Sequence, residues 1–389
     1  KDSKIYYELV FKSLLPGSQN ETRAIKTCKE VDNVYEVYEA IGAGSYATVR
    51  RVVHKQSRKQ YAAKIVEKKQ FSYNNPSRWA DQVNEARMLE RLNHPNIVQL
   101  QEIFLTDDAL YMILEFVKGG ELFDRLADFG PYKEDRARLL LFNILEAVAY
   151  LHSMGIVHRD LKPENILMVD KDDDVNIKLA DFGVAKEERG GRGTFCGSMS
   201  YIAPEVLKRK DTVFGKGRYG KGADIWSLGV IAYIVFTACP PFDDESGVSI
   251  IDQVKNVVKF REAEWKEISL KAKDFVSSLL TVNEDKRLTA QQALMHPWFN
   301  DIQKGNGNTT VTEPVLCSLS NMGLKEDSLP PPPSLVDRSK QFENSIENNT
   351  ENISTESNKW QNPRKADRKV QKELIIHPYR DKKRQKVSA

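Results

Sequence analysis

One long apolar segment constrains the fold more than any other feature of this sequence. Residues 136–155, RARLLLFNILEAVAYLHSMG, carry apolar side chains on most faces of a helix. Because a helix with so little polar surface has to be covered on all sides, we expect it to be a buried central helix. The chain has 389 residues, which is enough for about two or three folding units around such a core.

Strand patterns dominate the region before this helix, and helical patterns dominate the region after it. Short β-rich runs bounded by turn residues predict strands at 37–42, 48–55, 60–68 and 109–116, with an amphipathic helix at 79–92. Further helical patterns lie near 223–238, 249–259, 269–281 and 288–295. The sequence therefore predicts an α+β protein whose small β-rich lobe is hinged at Gly119–Gly120 to a larger helical lobe.

The two ends of the chain differ from this bilobal region, which we place at 35–299. Residues 1–34 form an N-terminal extension whose apolar run YYELVF (6–11) predicts one strand. Residues 300–389 are rich in Asn, Ser, Thr and Lys and include four consecutive prolines, so we expect a largely disordered tail. Since the chain starts at Lys1 without a signal-peptide pattern, we expect a fragment or processed form with an upstream segment.

Charge and cysteine usage argue against several classes of function. A formal net charge of +3 is small for this length, which argues against a dedicated nucleic-acid binder. The four cysteines are scattered without CxxC spacing, which predicts reduced thiols in an intracellular protein rather than a disulfide frame or zinc site. No apolar run reaches the roughly 18 residues of a membrane span, so we predict no membrane partner.

A polar octet directly after the central helix has the residue types that phosphoryl transfer requires. The octet is HRDLKPEN, residues 158–165. Asp160 can accept the proton of an attacking hydroxyl, Lys162 can reach the transferring phosphate, and Asn165 can ligate magnesium. A polar surface loop is the alternative, but eight matched positions argue against it.

Three further motifs follow the order that such chemistry needs. Asp181 in LADFGV (179–184) comes after a strand pattern and offers a carboxylate to a metal that bridges phosphates. In the small lobe, Lys64 can reach the phosphates, and Glu85 on the following helix is its natural partner. IGAGSYATVR (41–50) fits either a phosphate-binding loop or a flexible turn when taken alone; the order of the other motifs favours the loop.

With these motifs in order, residues 35–299 resemble a eukaryotic protein kinase catalytic domain of the serine/threonine type. The resemblance implies ATP and Mg²⁺ as cofactors, Asp160 as the base, and a Lys64–Glu85 pair that orients the α- and β-phosphates. It implies that Asn165 and Asp181 hold magnesium. It also implies an ATP lid that contains Gly42 and Gly44, and an adenine roof, a surface that covers the base, formed by Ile41, Val49 and Ala62. Leu114 would be the gatekeeper residue, and the backbone of Glu115 and Val117 would hydrogen-bond adenine. Arg159, the Glu205–Arg287 pair and Asp224 would have structural roles.

One position of the lid departs from the family pattern. Ala47 stands where a third glycine is usual. Alanine is the smallest substitute, so we expect some loss of lid mobility but retained ATP binding. A catalytically silent scaffold with the same fold is the alternative from another functional class, although all four groups whose absence usually marks one are present: Lys64, Asp160, Asn165 and Asp181.

Further short motifs bear on the substrate preference and on the group of kinases that the chain resembles. LNHPNIV (92–98), GGELF (119–123) and HPWF (296–299) resemble the calcium/calmodulin-dependent kinase group. Glu121 and Glu164 resemble positions that select an arginine three residues before the phosphoacceptor, which implies basic protein substrates. Either could instead be a solvated charge, and Glu121 could contact the ribose. Residues 300–324 hold one lysine and a proline, so we expect no calmodulin binding.

A narrower resemblance is to the checkpoint kinase two group of DNA-damage effector kinases. It rests on TFCGS (194–198), DQVKN (252–256) and AEWKEISLKAKDF (263–275). It implies an upstream forkhead-associated domain that binds phosphothreonine-bearing partners, and a transient homodimer that phosphorylates itself in trans. The run at 6–11 would be the last strand of that domain or, equally, a strand packed on the kinase. A meiotic or metabolic kinase is the main rival.

Two further expectations concern the phosphosites that activate the enzyme and its location in the cell. A phosphate on Thr194 would meet Arg159 and order the glycine-rich segment, with Ser198, where threonine is usual, as a second phosphosite or a substrate contact. Residues 359–389 hold 11 Lys/Arg against three Asp/Glu. This composition predicts a nuclear import signal, hence a nuclear protein with a cytoplasmic fraction; a solvated basic tail is the alternative.

Overall fold

The computed structural model describes residues 26–27, 31–44, 47–70, 76–187, 199–210, 220–242, 248–254 and 258–303. The predicted strand at 6–11, the phosphosites Thr194 and Ser198, and the predicted disordered, basic tail beyond residue 303 lie outside these ranges. Within them, no helix combines the length and apolar character that a membrane crossing requires.

Among the described residues, six strands form the sheet of the small lobe. They are β1 (Lys26–Thr27), β2 (Tyr35–Ala43), β3 (Thr48–His54), β4 (Gln60–Glu67), β5 (Leu100–Leu105) and β6 (Ala109–Glu115). Their order is β1-β5-β6-β4-β3-β2, with β1 parallel to β5 and the remaining pairs antiparallel. Because side chains alternate along a strand, Lys64 of β4 lies on the opposite face from Tyr61 and Ile65.

The outer face of this sheet is covered by the segment just before it. Helix α1 (Val31–Val34) buries Val31 with Tyr35 against four residues of the sheet, namely Val52, Ala63, Phe104 and Ile113. The hydroxyl of Tyr35 donates to Glu102 at 3.0 Å. The last residues of the expected N-terminal extension therefore pack on the small lobe.

Helices form most of the rest. They are α2 (Pro76–Arg91), α3 (Leu122–Phe129), α4 (Glu134–Ser153), α5 (Pro204–Lys210), α6 (Lys221–Thr237), α7 (Ile250–Gln253), α8 (Glu262–Trp265), α9 (Leu270–Leu279), α10 (Ala290–Leu294) and α11 (Asn300–Gln303). Two small antiparallel pairs accompany them: β7 (Ile156–Val157) with β10 (Lys186–Glu187), and β8 (Ile166–Met168) with β9 (Ile177–Leu179).

The predicted central helix is confirmed as α4. Its residues Leu140, Leu141, Ile144, Leu145 and Leu151 are all fully buried, as the nearly all-round apolar pattern requires. It packs against α6, α10, β7 and β9 of the large lobe, and the polar octet 158–165 follows β7 directly. The bilobal α+β prediction is therefore confirmed, with Gly119 and Gly120 in the connection between β6 and α3.

One predicted helix is wrong in extent. The pattern at 249–259 predicted about three turns, but α7 ends at Gln253 and residues 258–260 are not helical. Val254 and Val258 are both buried, and apolar spacing alone does not distinguish a helix from other buried backbone.

Candidate active site

Lys64 lies between two carboxylates from different parts of the chain. Its Nζ is 2.6 Å from Oε1 of Glu85 on α2 and 3.2 Å from Oδ1 of Asp181, which follows β9. Burial disfavours the ammonium, but attraction from Glu85 and then Asp181 raises the pKa of Lys64 above its ordinary value. Lys64 therefore remains a cation, aligned where it can meet an anionic ligand.

Asp181 is held in an unusual backbone conformation beside a tightly placed glycine. Its φ of 58° lies in the left-handed region. The Lys64 ammonium holds the pKa of Asp181 below its ordinary value. The amide of Gly183 donates to Asp181 Oδ1 at 3.3 Å, and a Cβ at Gly183 would approach that oxygen to 3.2 Å. Glycine keeps this carboxylate open to a ligand.

The polar octet 158–165 brings three of the predicted residues together. Nζ of Lys162 lies 2.7 Å from Oδ2 of Asp160. The amide nitrogen of Asn165 donates to the backbone carbonyl of Asp160 at 2.7 Å and to its Oδ2 at 3.0 Å. Because Asn165 uses its nitrogen on Asp160, its oxygen is directed elsewhere and can serve a metal.

Asp224 braces this loop from the first turn of α6. Its carboxylate, almost fully buried, accepts the amides of His158 and Arg159 at 2.9 Å each and Nε2–H of His152 at 2.9 Å. Arg159 has a φ of 71°, a strained conformation for a residue with a side chain. The two amide hydrogen bonds stabilise this unfavourable backbone conformation and thereby position Asp160.

Glu205 and Arg287 form the predicted structural pair of the large lobe. The guanidinium donates to both carboxylate oxygens at 2.8 and 2.9 Å, and its side chain is 0% exposed. It also donates to the carbonyls of Gly222 and Thr281. This bidentate contact ties the start of α5 to the rest of the helical lobe.

The hinge, taken from here on as residues 115–120 from the end of β6, offers hydrogen-bonding groups for a planar ligand. The amide of Glu115 donates to the carbonyl of Gln99 at 2.9 Å, so only the carbonyl of Glu115 can serve adenine. Within the described residues, the amide and carbonyl of Val117 make no hydrogen bond. Leu114 pairs with Ala62 across β4 and β6, which places the predicted gatekeeper beside the predicted roof.

The glycine-rich lid fits a ligand that approaches the backbone closely. The amide of Gly44 donates to the carbonyl of Ala47 at 2.8 Å, which links the end of β2 to the start of β3. A Cβ at Gly42 would meet Val49 only at an ordinary 3.6 Å, so the described chain itself does not require glycine there. The alanine at the third glycine position is buried. Ile41 is 45% exposed, available to cover a base.

The donor set also fits magnesium. Carboxylate and amide oxygens, as in Asp181 and Asn165, are the ligands that Mg²⁺ prefers, and it usually takes the rest of its shell from phosphates and water. Among the described residues, no group of three or more His, Cys, Asp or Glu side chains could hold a metal ion on its own. Two protein ligands suit an ion that arrives with a nucleotide.

Glu121 and Glu164 lie in neighbouring backbone segments. Residues 119–121 run beside 167–168: the amide of Gly119 donates to the carbonyl of Met168 at 3.0 Å, and the amide of Met168 donates to the carbonyl of Gly120 at 2.8 Å. A Cβ at Gly119 would lie 2.4 Å from the Met168 carbonyl oxygen, so only glycine permits this approach. The backbone segment that carries Glu121 thus lies beside β8, the strand that follows Glu164 and Asn165.

Two residues of the site were missed by sequence reasoning. His152 at the end of α4 donates to Asp224, and Lys178 on β9 contacts Glu115 at 2.9 Å. A histidine at the end of an otherwise apolar helix was the available indication for His152. A single lysine in a short strand has no such indication.

Comparison with known proteins agrees with this arrangement. The family profile described as the protein kinase domain matches residues 35–299. Calcium/calmodulin-dependent protein kinase type 1 of Macrobrachium nipponense is 41% identical over 315 residues, covering 78% of this chain and 86% of that protein. The human type 1B enzyme is 40% identical over 297 residues, covering 76% and 82%. The crystal structure of Rad53 1–466 in complex with AMP-PNP matches with a TM-score of 0.57 and 36% identity, covering 69% of this chain and 66% of that one.

Proposed function

This chain belongs to the protein kinase family and is a serine/threonine protein kinase of the calcium/calmodulin-dependent group, and from that premise we propose that it acts on basic protein substrates as a DNA-damage checkpoint effector. The observation that carries catalysis is the contact of Lys64 with both Glu85 and Asp181, beside the Asp160–Lys162–Asn165 cluster. The AMP-PNP in the Rad53 structure supports a nucleotide in the same cleft.

Each residue of this site has a task in phosphoryl transfer. ATP with Mg²⁺, when bound, supplies the phosphoryl group and neutralises its charge. Asp160 accepts the hydroxyl proton of the substrate serine or threonine, and Lys162, 2.7 Å from it, balances charge beside the acceptor. Lys64 orients the phosphates, while the oxygens of Asn165 and Asp181 are the ligands that would hold the metal.

The proposed arginine preference rests on Glu121 and Glu164. The segment that carries Glu121 is hydrogen-bonded to Met168, four residues after Glu164, which supports a common site for the two carboxylates. A carboxylate binds a guanidinium with two parallel hydrogen bonds, which gives a physical reason to prefer arginine over lysine there.

A positional-scanning peptide library tests this preference. We expect the wild-type chain to prefer arginine three residues before the acceptor, and Glu121→Gln or Glu164→Gln to reduce that preference about tenfold, the value of one charged hydrogen bond. Asp124→Asn, an exposed carboxylate on α3, is the matched control and should change nothing. Asp160→Asn should abolish phosphorylation. An unchanged arginine preference in both glutamine variants would contradict the proposal.

Activation in trans is the second part of the proposal. The resemblance of 194–198 and 263–275 to checkpoint effector kinases supports Thr194 as the activating site, with Arg159, anchored by Asp224, as the receptor of its phosphate. An Asp160→Asn chain mixed with active enzyme should gain phosphate on Thr194, at a rate that rises with enzyme concentration. If mass spectrometry finds Thr194 and Ser198 unmodified in active enzyme, this mechanism is wrong.

Location and calcium dependence complete the proposal. We propose a nuclear protein on the basis of the basic residues at 359–389. A fluorescent reporter fused to this segment should enter the nucleus; a reporter that stays cytoplasmic would remove the support.

We also propose activity without calmodulin, because 300–324 lacks the composition of a basic helix. Adding Ca²⁺ and calmodulin should leave the phosphorylation rate unchanged.

A further inference from the structure

The side chain of Glu115 joins the hinge to two other segments. Its Oε1 accepts the amide of Gln99 at 2.8 Å and lies 2.9 Å from Nζ of Lys178. Gln99 leads into β5, whereas Lys178 belongs to β9, three residues before Asp181. Glu115 therefore connects the proposed adenine-binding hinge with the strand that leads to Asp181.

The segment 96–99 makes the same connection through its backbone. The amide of Val98 donates to the carbonyl of Leu179 at 3.0 Å, and the amide of Leu179 donates to the carbonyl of Asn96 at 2.8 Å. On the other side, the amide of Glu115 donates to the carbonyl of Gln99. The Glu115–Lys178 ion pair thus closes a ring of contacts that runs from the hinge through 96–99 to β9.

Low solvent exposure and the absence of a competing charge among the described residues favour the ion pair between Glu115 and Lys178. The side chains of Lys178 and Glu115 are only 16% and 27% exposed, so solvent screens their attraction less than that of a fully exposed pair. Burial and then the Lys178 ammonium lower the pKa of nearby His94 to about 4, so the imidazole is neutral near pH 7 and does not compete for the carboxylate. In the part of the chain that the structure describes, Lys178 forms no other ion pair.

We propose that Glu115 and Lys178 form an interlobe clasp, a pair of positioning residues that aligns the adenine-binding hinge with Asp181 before the nucleotide arrives. A nucleotide with its metal must contact both places at once. The apparent dissociation constant varies inversely with the fraction of molecules that are already aligned. Losing one partly buried, hydrogen-bonded ion pair is expected to lower that fraction about three- to tenfold.

Two single variants separate the parts of the clasp. Glu115→Gln keeps an oxygen that can accept the Gln99 amide but removes the charge, and Lys178→Met removes the ammonium while keeping similar length. We expect the dissociation constant of AMP-PNP with Mg²⁺, measured by calorimetry, and the KM for ATP to rise about three- to tenfold, with kcat within about twofold. Lys178→Arg should restore tight binding. The double variant should be no worse than either single, because both lose the same contact.

Glu36→Gln and Arg58→Met are the controls. They remove an exposed two-oxygen ion pair of the same sheet, at 2.9 and 3.0 Å, that does not reach β9. Their AMP-PNP affinity should match that of wild type. Unchanged affinity in both clasp variants, additive losses in the double variant, or a rise in kcat at constant KM would overturn the proposal. The clasp proposal depends only on nucleotide binding, so a peptide library that shows no arginine preference would not contradict it.

Discussion

Replacing Asp224 by alanine tests whether one buried carboxylate holds the catalytic loop. The change removes the acceptor of three hydrogen bonds, from the amides of His158 and Arg159 and from Nε2–H of His152. A buried donor left without an acceptor costs about 1–3 kcal/mol. With three donors affected and water able to enter the space partly, we expect a loss of about 3–6 kcal/mol in the free energy of unfolding.

That loss is large beside the total stability of a typical domain, about 5–15 kcal/mol. Thermal unfolding followed by circular dichroism should show the midpoint falling by about 10–20 °C. Because Arg159 would no longer be held at its positive φ, Asp160 should also be displaced, and kcat should fall about 10- to 100-fold. Asp224→Asn, which keeps one acceptor oxygen, should lie between wild type and alanine.

The pH dependence gives a separate check. Burial opposes ionisation of Asp224, but the hydrogen bond from His152, the nearby histidines and the Arg159 amide hold its pKa below the ordinary value. A carboxyl whose pKa is lowered by folding contributes stability above its unfolded pKa, about 3.9, and loses it as the pH falls through the folded pKa. The stability difference between wild type and Asp224→Ala should therefore shrink only below about pH 4.

The control for this experiment is Asp108→Ala, an exposed aspartate in the turn between β5 and β6. Its free energy of unfolding should stay within about 0.5 kcal/mol of wild type. An Asp224→Ala chain that unfolds within about 1 kcal/mol of wild type and keeps its kcat would refute the reasoning. In that case the loop would have to be held by its other contacts.

Three further changes test other parts of the site. Glu205→Ala leaves the buried guanidinium of Arg287 without its carboxylate and should cost about 3–5 kcal/mol in urea unfolding; a loss below about 1 kcal/mol would contradict a structural pair. Gly119→Ala puts a Cβ 2.4 Å from the carbonyl oxygen of Met168, so it should cost about 1–3 kcal/mol and weaken the arginine preference in the peptide library. Lys64→Met should lower the rate of peptide phosphorylation at least about 100-fold while the circular dichroism spectrum stays that of a folded chain, and a smaller effect would place the phosphates elsewhere.

The elements with strong periodicity were predictable from the sequence, and the weaker ones were not. α4 is apolar on nearly every face, and the strands β3, β4 and β6 are bounded by turn residues, so all four were identified from local pattern. β5 was missed because Gln101 and Glu102 interrupt its apolar run; pairing with β6 on one side and β1 on the other stabilises it. Strand formation there depends on neighbours, which no local window contains.

The chemistry of the site could also be predicted in part. Asp160, Lys162, Asn165 and Asp181 stand in two compact motifs, so their residue types and order already indicated phosphoryl transfer. Their mutual geometry, such as the amide of Asn165 on the carboxylate of Asp160, is a local consequence of the short turn 163–165. Residue types within one loop are therefore informative without a structure.

Contacts between distant segments were decided by the tertiary structure alone. His152 and Asp224 are 72 residues apart, and only the packing of α4 against α6 brings them to 2.9 Å. The same holds for Glu115, for which the resemblance implied only a backbone contact and whose side chain joins the hinge to Lys178. Sequence determines which groups are present and which local conformations they favour, since these depend on covalent neighbours. Which charges meet across the lobes depends on how the whole core packs, and that information is spread over the entire chain.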